Sequence, residues 1–142
     1  MTIYADSSFI TSLYVLDVHL PEARKRMGQQ HIVWLTQLNR TELAHAISQY
    51  VFRGQISSLE SGRVWGNFQN DCAQGIWTPV NLPERTWESG IDLAQRYGPS
   101  LGIRTLDSLH VACALELKAQ RFWTFDERQA RLAEAVGLNT NP

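Results

Sequence analysis

The sequence predicts an α/β fold: a three-layer α/β/α sandwich around a mostly parallel sheet of four or five strands. Short β-branched and aromatic segments alternate with longer segments of helical periodicity, in the order β-α-β-α-α-β-α-α-β-α. Strands separated by helices pair in parallel and are covered by helices on both faces. The 142 residues, of which 44% are hydrophobic, are expected to form a single domain over residues 1–142 with one core.

Four segments are typical of buried strands because they are short, apolar and bounded by polar or turn-forming residues. The third of them contains Pro79, which cannot donate to a sheet and therefore favours a sheet edge or a strand end. The predicted strands are residues 2–5, 31–36, 77–82 and 121–125.

The helices are predicted from apolar spacing and from capping and stop residues. The first follows a cap at Ser7 or Ser8 and carries Phe9, Leu13 and Leu16 on one face. Residues 99–104 are predicted to form a loop. The remaining helices are predicted at about 39–53 and 57–74, from Pro83 to before Gly98-Pro99, from a cap at Thr105 to about 117, and from a cap at Asp126 to Gly137.

Composition limits the class of protein. No apolar run approaches the roughly 18 residues of a membrane span, and the N-terminus lacks the order of a signal peptide, so a cytoplasmic location is expected. Cys72 and Cys113 form neither a disulfide framework nor a zinc-binding pattern. The net charge of −1 does not indicate nucleic-acid binding, but a site built on carboxylates would offset a local basic rim.

Four acidic residues occupy equivalent places in this predicted order. Asp6 and Asp126 follow two strands directly, and Glu42 and Asp107 lie in the first turns of two helices. In open parallel sheets, ligands bind outside the carboxyl ends of the strands, so all four acids are expected at one end of the molecule. Carboxylates that lie close together repel each other, and a cation bound among them offsets this repulsion. Oxygen ligands suit Mg²⁺ or Mn²⁺, which can polarise a phosphate and activate a water.

Each acid also has a purely structural interpretation. Glu42 completes Asn39-x-x-Glu42, a capping-box pattern, and Asp126 forms a similar pattern with Gln129. Asp107 complements a helix dipole, and Asp6 can cap a helix. Their common placement at one sheet edge favours the metal site without excluding capping.

The order of these motifs resembles that of PIN-domain ribonucleases, and most closely that of the VapC-like toxins of toxin–antitoxin pairs. The similarity covers about residues 2–138. It begins at Tyr4-Ala5-Asp6-Ser7-Ser8-Phe9-Ile10 and continues at Thr41-Glu42-Leu43. It is clearest in the stretch from Thr105 to Leu115, with its Asp, His and small apolar helix, and in Trp123-Thr124-Phe125-Asp126.

This resemblance implies a metal-dependent endoribonuclease that uses Mg²⁺ or Mn²⁺. Asp6, Glu42, Asp107 and Asp126 would be the catalytic metal ligands, directly or through water. Ser8 and Thr124 would support the site by hydrogen bonding. The resemblance further implies a homodimer, and a small antitoxin that blocks the groove by inserting a basic side chain among the acids.

Further residues near these motifs have two interpretations each. Glu127 is either a fifth oxygen ligand or a solvated helix acid. His110, one helical turn after Asp107, either contacts phosphate or packs in the cleft wall. Arg104 and Arg128 either bind RNA phosphates or are ordinary surface arginines.

Two rival functions remain. A PIN-like module without catalysis would bind RNA or protein, although the presence of all four acids argues against it. A structure-specific DNA nuclease would use the same site, although the short chain leaves little room for elements that grip a duplex. The sequence contains neither a phosphate-binding Gly-x-x-x-x-Gly-Lys-Ser/Thr loop nor a Gly-x-Ser-x-Gly elbow.

Overall fold

A four-stranded sheet, parallel throughout, forms the centre of the molecule. The structure is a computed structural model that describes residues 1–15, 17–29 and 31–142; Leu16, a predicted helix position, lies outside them. The spatial order is β3-β2-β1-β4, which confirms the predicted fold class with four strands. The strands are β1 (Thr2–Ala5), β2 (Ile32–Leu35), β3 (Thr78–Pro79) and β4 (Arg121–Trp123).

Seven helices cover the sheet within the described residues. None of them is both long enough and apolar enough to cross a bilayer. The helices are α1 (Ser7–Tyr14), α2 (Leu20–Met27), α3 (Gln37–Phe52), α4 (Ser58–Ala73), α5 (Thr86–Leu101), α6 (Thr105–Glu116) and α7 (Glu127–Ala135).

The alternation of side chains along β1 explains the three layers. Ile3 and Ala5 pack into a cluster with residues of α1 to α4, whereas Tyr4 faces the opposite way. Tyr4 stacks on Phe122 of β4, at 5.6 Å between ring centroids, in a second cluster formed with α5, α6 and α7. Because successive residues of a strand point to opposite faces, one four-residue strand serves both cores.

Two helices differ from the prediction. Helix α2 was not predicted, because half of its sequence LPEARKRM is charged and Ala23 is its one buried residue. Helix α5 continues through Gly98-Pro99, where the sequence predicted a stop and a loop. The proline ring clashes with the backbone N–H and the Cβ of the preceding residue, and Gly98 lacks the Cβ, which removes part of this restriction. The helix ends one turn later at Gly102, whose φ is +63°.

The starts of the helices also differ from the prediction. Asp6 caps α1, accepting a hydrogen bond from the Phe9 amide at 3.0 Å, so neither Ser7 nor Ser8 is the cap. Helix α3 begins at Gln37, and its capping box pairs Thr36 with Asn39. The predicted Asn39–Glu42 box is therefore wrong, and Glu42 is not needed to cap this helix.

Candidate metal centre

Asp6 lies at the carboxyl end of the central strand β1 and is fully buried. Its Oδ1 accepts hydrogen bonds from the Ser8 hydroxyl at 2.6 Å and from the Phe9 amide at 3.0 Å. Its Oδ2 accepts a hydrogen bond from the Thr124 hydroxyl. The backbone amide of Asp6 donates to the carbonyl of Trp123 in β4, at 3.0 Å. The carboxylate is thus fixed between two adjacent parallel strands.

Glu42 lies in the second turn of α3 and is held by two side chains from other elements. The Ser7 hydroxyl donates to Glu42 Oε1 at 2.9 Å, and His110 Nε2 of α6 contacts the same oxygen. His110 is fully buried, and its Nδ1 lies 2.7 Å from the Tyr4 hydroxyl, which donates to it in the neutral tautomer that carries the proton on Nε2. This chain of contacts joins the first strand, the third helix and the sixth helix at one point.

Asp107 and Asp126 are linked by Arg104. The backbone amide of Arg104 donates to Asp107 Oδ2 at 2.8 Å, and its Nε lies 3.4 Å from the same oxygen. Its Nη2 lies 3.7 Å from Asp126 Oδ2. Asp126 also caps α7, as predicted, by accepting from the Gln129 amide at 3.0 Å. The guanidinium therefore stands as a cation between two of the four predicted acids.

All four acids belong to one surface groove or its floor. A cavity of about 420 Å³ is lined by Glu42, Asp107 and Asp126. Ser7 and Ser8 line it too, and Asp6 lies directly beneath, bonded to Ser8. A second cavity of about 370 Å³ adjoins the first and shares four lining residues with it: Ser7, Ser8, Glu42 and Asp126.

The donor set suits a hard divalent cation. Every predicted ligand offers carboxylate oxygen, as Mg²⁺ and Mn²⁺ require. Arg104, whose side chain is 64% exposed, already fills a cation position between Asp107 and Asp126. As the side chains stand, no three Asp, Glu, His or Cys residues of the described ranges form a metal-holding group. A divalent ion held by these carboxylates would compete with Arg104 for Asp107 and Asp126.

Burial shifts the pKa of Asp6. Loss of hydration raises the pKa of Asp6, while His110 and the donors Ser8, Thr124 and Phe9 lower it and partly offset this. A bound cation would favour the ionised form and so offset the cost of burying this carboxylate. Burial also raises the pKa of Tyr4, which keeps its hydroxyl protonated beside His110.

For three of the additional residues, the structure agrees with the structural interpretation rather than with the functional one. Glu127 points away from the groove, with a 91% exposed side chain 3.8 Å from Arg131, so it supplies no fifth ligand in this arrangement. Arg128 is exposed and does not line either cavity. His110 is buried under Glu42 and does not reach the surface where phosphate would lie. Helix α7 turns Glu127 and Arg128 outward because its buried positions are Gln129, Leu132 and Ala133.

Sequence reasoning assigned no supporting role to Tyr4, Ser7 or Asn39. Asn39 is buried and donates from Nδ2 to the Ala5 carbonyl at 3.2 Å, with the Ser7 hydroxyl at 3.5 Å. This bond fixes the start of α3 against the end of β1. Two features of the sequence could have indicated these roles: Ser7 directly follows Asp6, and Asn39 lies three residues before Glu42. Ser8 and Thr124, to which the resemblance gave a supporting role, both donate hydrogen bonds to Asp6.

Comparison with known folds gives several solved structures of the same architecture, among them the following three. VapC20 of Mycobacterium tuberculosis, described as a sarcin-ricin loop cleaving toxin, is 14% identical, with a TM-score of 0.70 and 99% of each chain covered. VapBC2 of Rickettsia felis, bound to a promoter DNA fragment, is 10% identical, with a TM-score of 0.69 and coverage of 99% and 98%. FitAcB of Neisseria gonorrhoeae is 13% identical, with a TM-score of 0.70 and coverage of 99% and 97%.

These identities are low, so the three structures establish the fold and not the activity. A search of curated protein sequences gives no significant match. The sequence itself matches the model of the PIN domain over residues 3–135, nearly its whole length. The chain therefore belongs to the PIN-domain family.

Proposed function

We propose that this protein is a Mg²⁺- or Mn²⁺-dependent endoribonuclease, and that it acts in the cytoplasm as the toxin of a toxin–antitoxin pair. The observation that carries most weight is the convergence of Asp6, Glu42, Asp107 and Asp126 on one groove at the carboxyl edge of the sheet. Membership of the PIN-domain family and the VapC-like fold support the same proposal.

The chain's own residues divide the work in this proposal. A bound divalent ion would neutralise the phosphodiester and acidify a water for attack at phosphorus. Asp6 and Asp107, both buried, supply oxygen ligands whose orientation is fixed by neighbouring donors. His110 and Ser7 hold Glu42 in place, which makes them positioning residues. Arg104, once released from its acids, offers a guanidinium to a backbone phosphate.

The test is cleavage of a structured RNA mixture with Mn²⁺ by wild type, Asp6→Asn and Asp107→Asn. Wild type is expected to cleave, and each variant to lose at least a hundredfold in rate, because an amide binds a divalent ion far less strongly than a carboxylate. Glu127→Gln is the matched control and should cleave like wild type, since its side chain faces solvent. Full activity in both Asn variants would contradict the proposal.

The two rival functions give different outcomes in the same assay. Cleavage of DNA flaps but not of RNA would establish the DNA nuclease. Binding of RNA with no cleavage in Mg²⁺ or Mn²⁺ would establish the silent module.

We further propose a small antitoxin partner that brings a basic side chain into the groove. The support is that Arg104 already occupies a place between Asp107 and Asp126, so the acids accept a guanidinium. Co-expression with the short reading frame next to the gene is expected to yield a complex in which Mn²⁺-dependent cleavage is suppressed. A co-purified complex that cleaves as fast as the free protein would contradict this mode of inhibition.

We also propose that the protein is a homodimer. An apolar groove of about 390 Å³ between α5 and α6 is bordered by Trp87 and Ile91, which are 56% and 51% exposed. Large exposed apolar patches on soluble proteins often mark interfaces. Trp87→Glu is expected to give a monomer in sedimentation experiments where wild type is a dimer; a monomeric wild type would contradict the proposal.

A further inference from the structure

One end of the groove carries an exposed aromatic stack that plays no part in holding the acids. The ring of His19 lies parallel to that of Phe125, with 4.3 Å between centroids and 5° between planes. His19 is exposed, so the face of its imidazole that is turned away from Phe125 is accessible. Both residues line the cavity of about 370 Å³ together with Glu42 and Asp126.

Contacts to Phe125 and to the turn that carries His19 both hold the stack in place. Phe125 packs on the buried Phe9 at 5.4 Å, and the guanidinium of Arg26 lies 5.5 Å from its ring centre. The Asp17 carboxylate accepts from the His19 amide at 2.7 Å, which fixes the turn before α2. A preorganised ring costs little entropy when a ligand stacks on it.

The stack is also tied directly to the acids. Phe125 stands between Thr124, which donates to Asp6, and Asp126, so the backbone sets its position relative to the groove. The cavity that it borders shares Ser7, Ser8, Glu42 and Asp126 with the cavity that contains Asp107 and Arg104. The groove therefore runs from a guanidinium at one end, past the carboxylates, to a flat aromatic face at the other.

We propose that His19, backed by Phe125, is the stacking platform for one unpaired base of the substrate strand. A strand whose phosphate lies at the acids places a neighbouring base within reach of the adjoining cavity. Aromatic faces bind unstacked bases, and protein recognition of RNA relies on such contacts in single-stranded regions. The cavity has the size of a small-ligand site, for which about 300 Å³ is the lower limit. This inference rests on the proposed function and adds a determinant of substrate choice.

The test is binding of short RNAs that carry 2-aminopurine at successive positions, in EDTA, where metal-dependent cleavage cannot occur. Stacking on an aromatic ring quenches the fluorescence of this base. Wild type is expected to quench one position strongly. His19→Ala should lose that quenching and bind about tenfold more weakly, as expected for one lost base–aromatic stack. His19→Phe should restore both. The control is His45→Ala, because His45 is an exposed histidine that lines neither cavity.

Each outcome decides between the two proposals. Equal quenching and affinity in wild type and His19→Ala would overturn the platform, whether or not wild type cleaves RNA. Quenching that depends on His19, together with no cleavage in Mn²⁺, would overturn the nuclease and leave the platform standing. If His19→Ala binds RNA normally but loses its antitoxin, the ring belongs to a protein interface and the platform is overturned. Thermal unfolding confirms that each variant is folded.

Discussion

At the scale of single residues, Asp6 shows that a charge that the proposed metal site needs can lower the stability of the fold. It is fully buried, yet its neighbours are arranged as donors to a carboxylate: two hydroxyls and one amide. Burial raises its pKa despite these donors. A folded-state pKa above the unfolded value means that the folded protein binds the proton more tightly. Stability therefore falls as the pH rises from the ordinary value through the raised one.

We expect Asp6→Asn to be more stable than wild type at pH 7 in EDTA, by about 0.5–2 kcal/mol, the usual size of a stabilising substitution. The amide keeps the acceptor for Ser8 and Phe9 and carries no charge to desolvate. Urea unfolding at pH 7 and pH 4 measures the effect, which should shrink at the lower pH because the raised pKa lets wild-type Asp6 take up a proton more readily as the pH falls.

The control for Asp6→Asn is Asp92→Asn on α5, an acid 58% exposed and paired with Arg96. It should change the free energy of unfolding by less than about 0.5 kcal/mol. A destabilised Asp6→Asn at pH 7 would show that the three donors outweigh the cost of burial.

His110 is the second residue whose surroundings give a clear expectation. His110→Ala would leave the Tyr4 hydroxyl and one Glu42 oxygen without their partner, and would open a cavity under α6. We expect a loss of about 2–4 kcal/mol in the free energy of unfolding. His45→Ala, at an exposed position on α3, should be nearly neutral in the same urea titration. Similar stabilities for the two variants would contradict the buried network.

At the scale of elements, the sequence predicted most helices and strands but misplaced several of their ends. Apolar spacing together with capping and stop residues located α1, α3, α4, α6 and α7, each of which buries apolar residues in one of the two clusters. It missed α2, which buries little, and it stopped α5 too early at Gly98-Pro99. Local capping rules also allowed several alternatives at each helix start. Tertiary contacts determine which alternative is formed. At the start of α3, for example, Asn39 donates a hydrogen bond to the Ala5 carbonyl.

Two helical glycines test the packing of individual elements. Gly66 on α4 is exposed with open space at the Cβ position, whereas a Cβ on Gly90 of α5 would lie 3.2 Å from Leu109 Cδ2 of α6. Gly66→Ala should therefore raise the free energy of unfolding by about 0.5–1 kcal/mol through helix propensity. Gly90→Val should lower it by about 1–3 kcal/mol through overpacking. Equal effects of the two in urea titrations would contradict the close contact of α5 and α6.

At the scale of the whole molecule, the parallel sheet explains why distant acids meet. Strands β1 and β4 are neighbours and point the same way, so Asp6 and Asp126 emerge at one edge although 120 residues separate them. The expected alternation of strands and helices was enough to predict this. It was not enough to predict that His110 lies under Glu42, or that Glu127 faces solvent. Those placements depend on how whole helices rotate as they pack, which short sequence patterns do not encode.

The most direct test of the account is titration of the metal-free protein with Mn²⁺ by calorimetry at pH 7.5, for wild type, Asp107→Asn and Glu127→Gln. Asp107 is buried in the groove and Glu127 is exposed outside it, so the two variants remove similar charges from different places. We predict saturable binding in wild type and Glu127→Gln, and at least tenfold weaker binding in Asp107→Asn. Absence of binding in wild type, or equal binding in all three proteins, would contradict a metal centre at the four carboxylates.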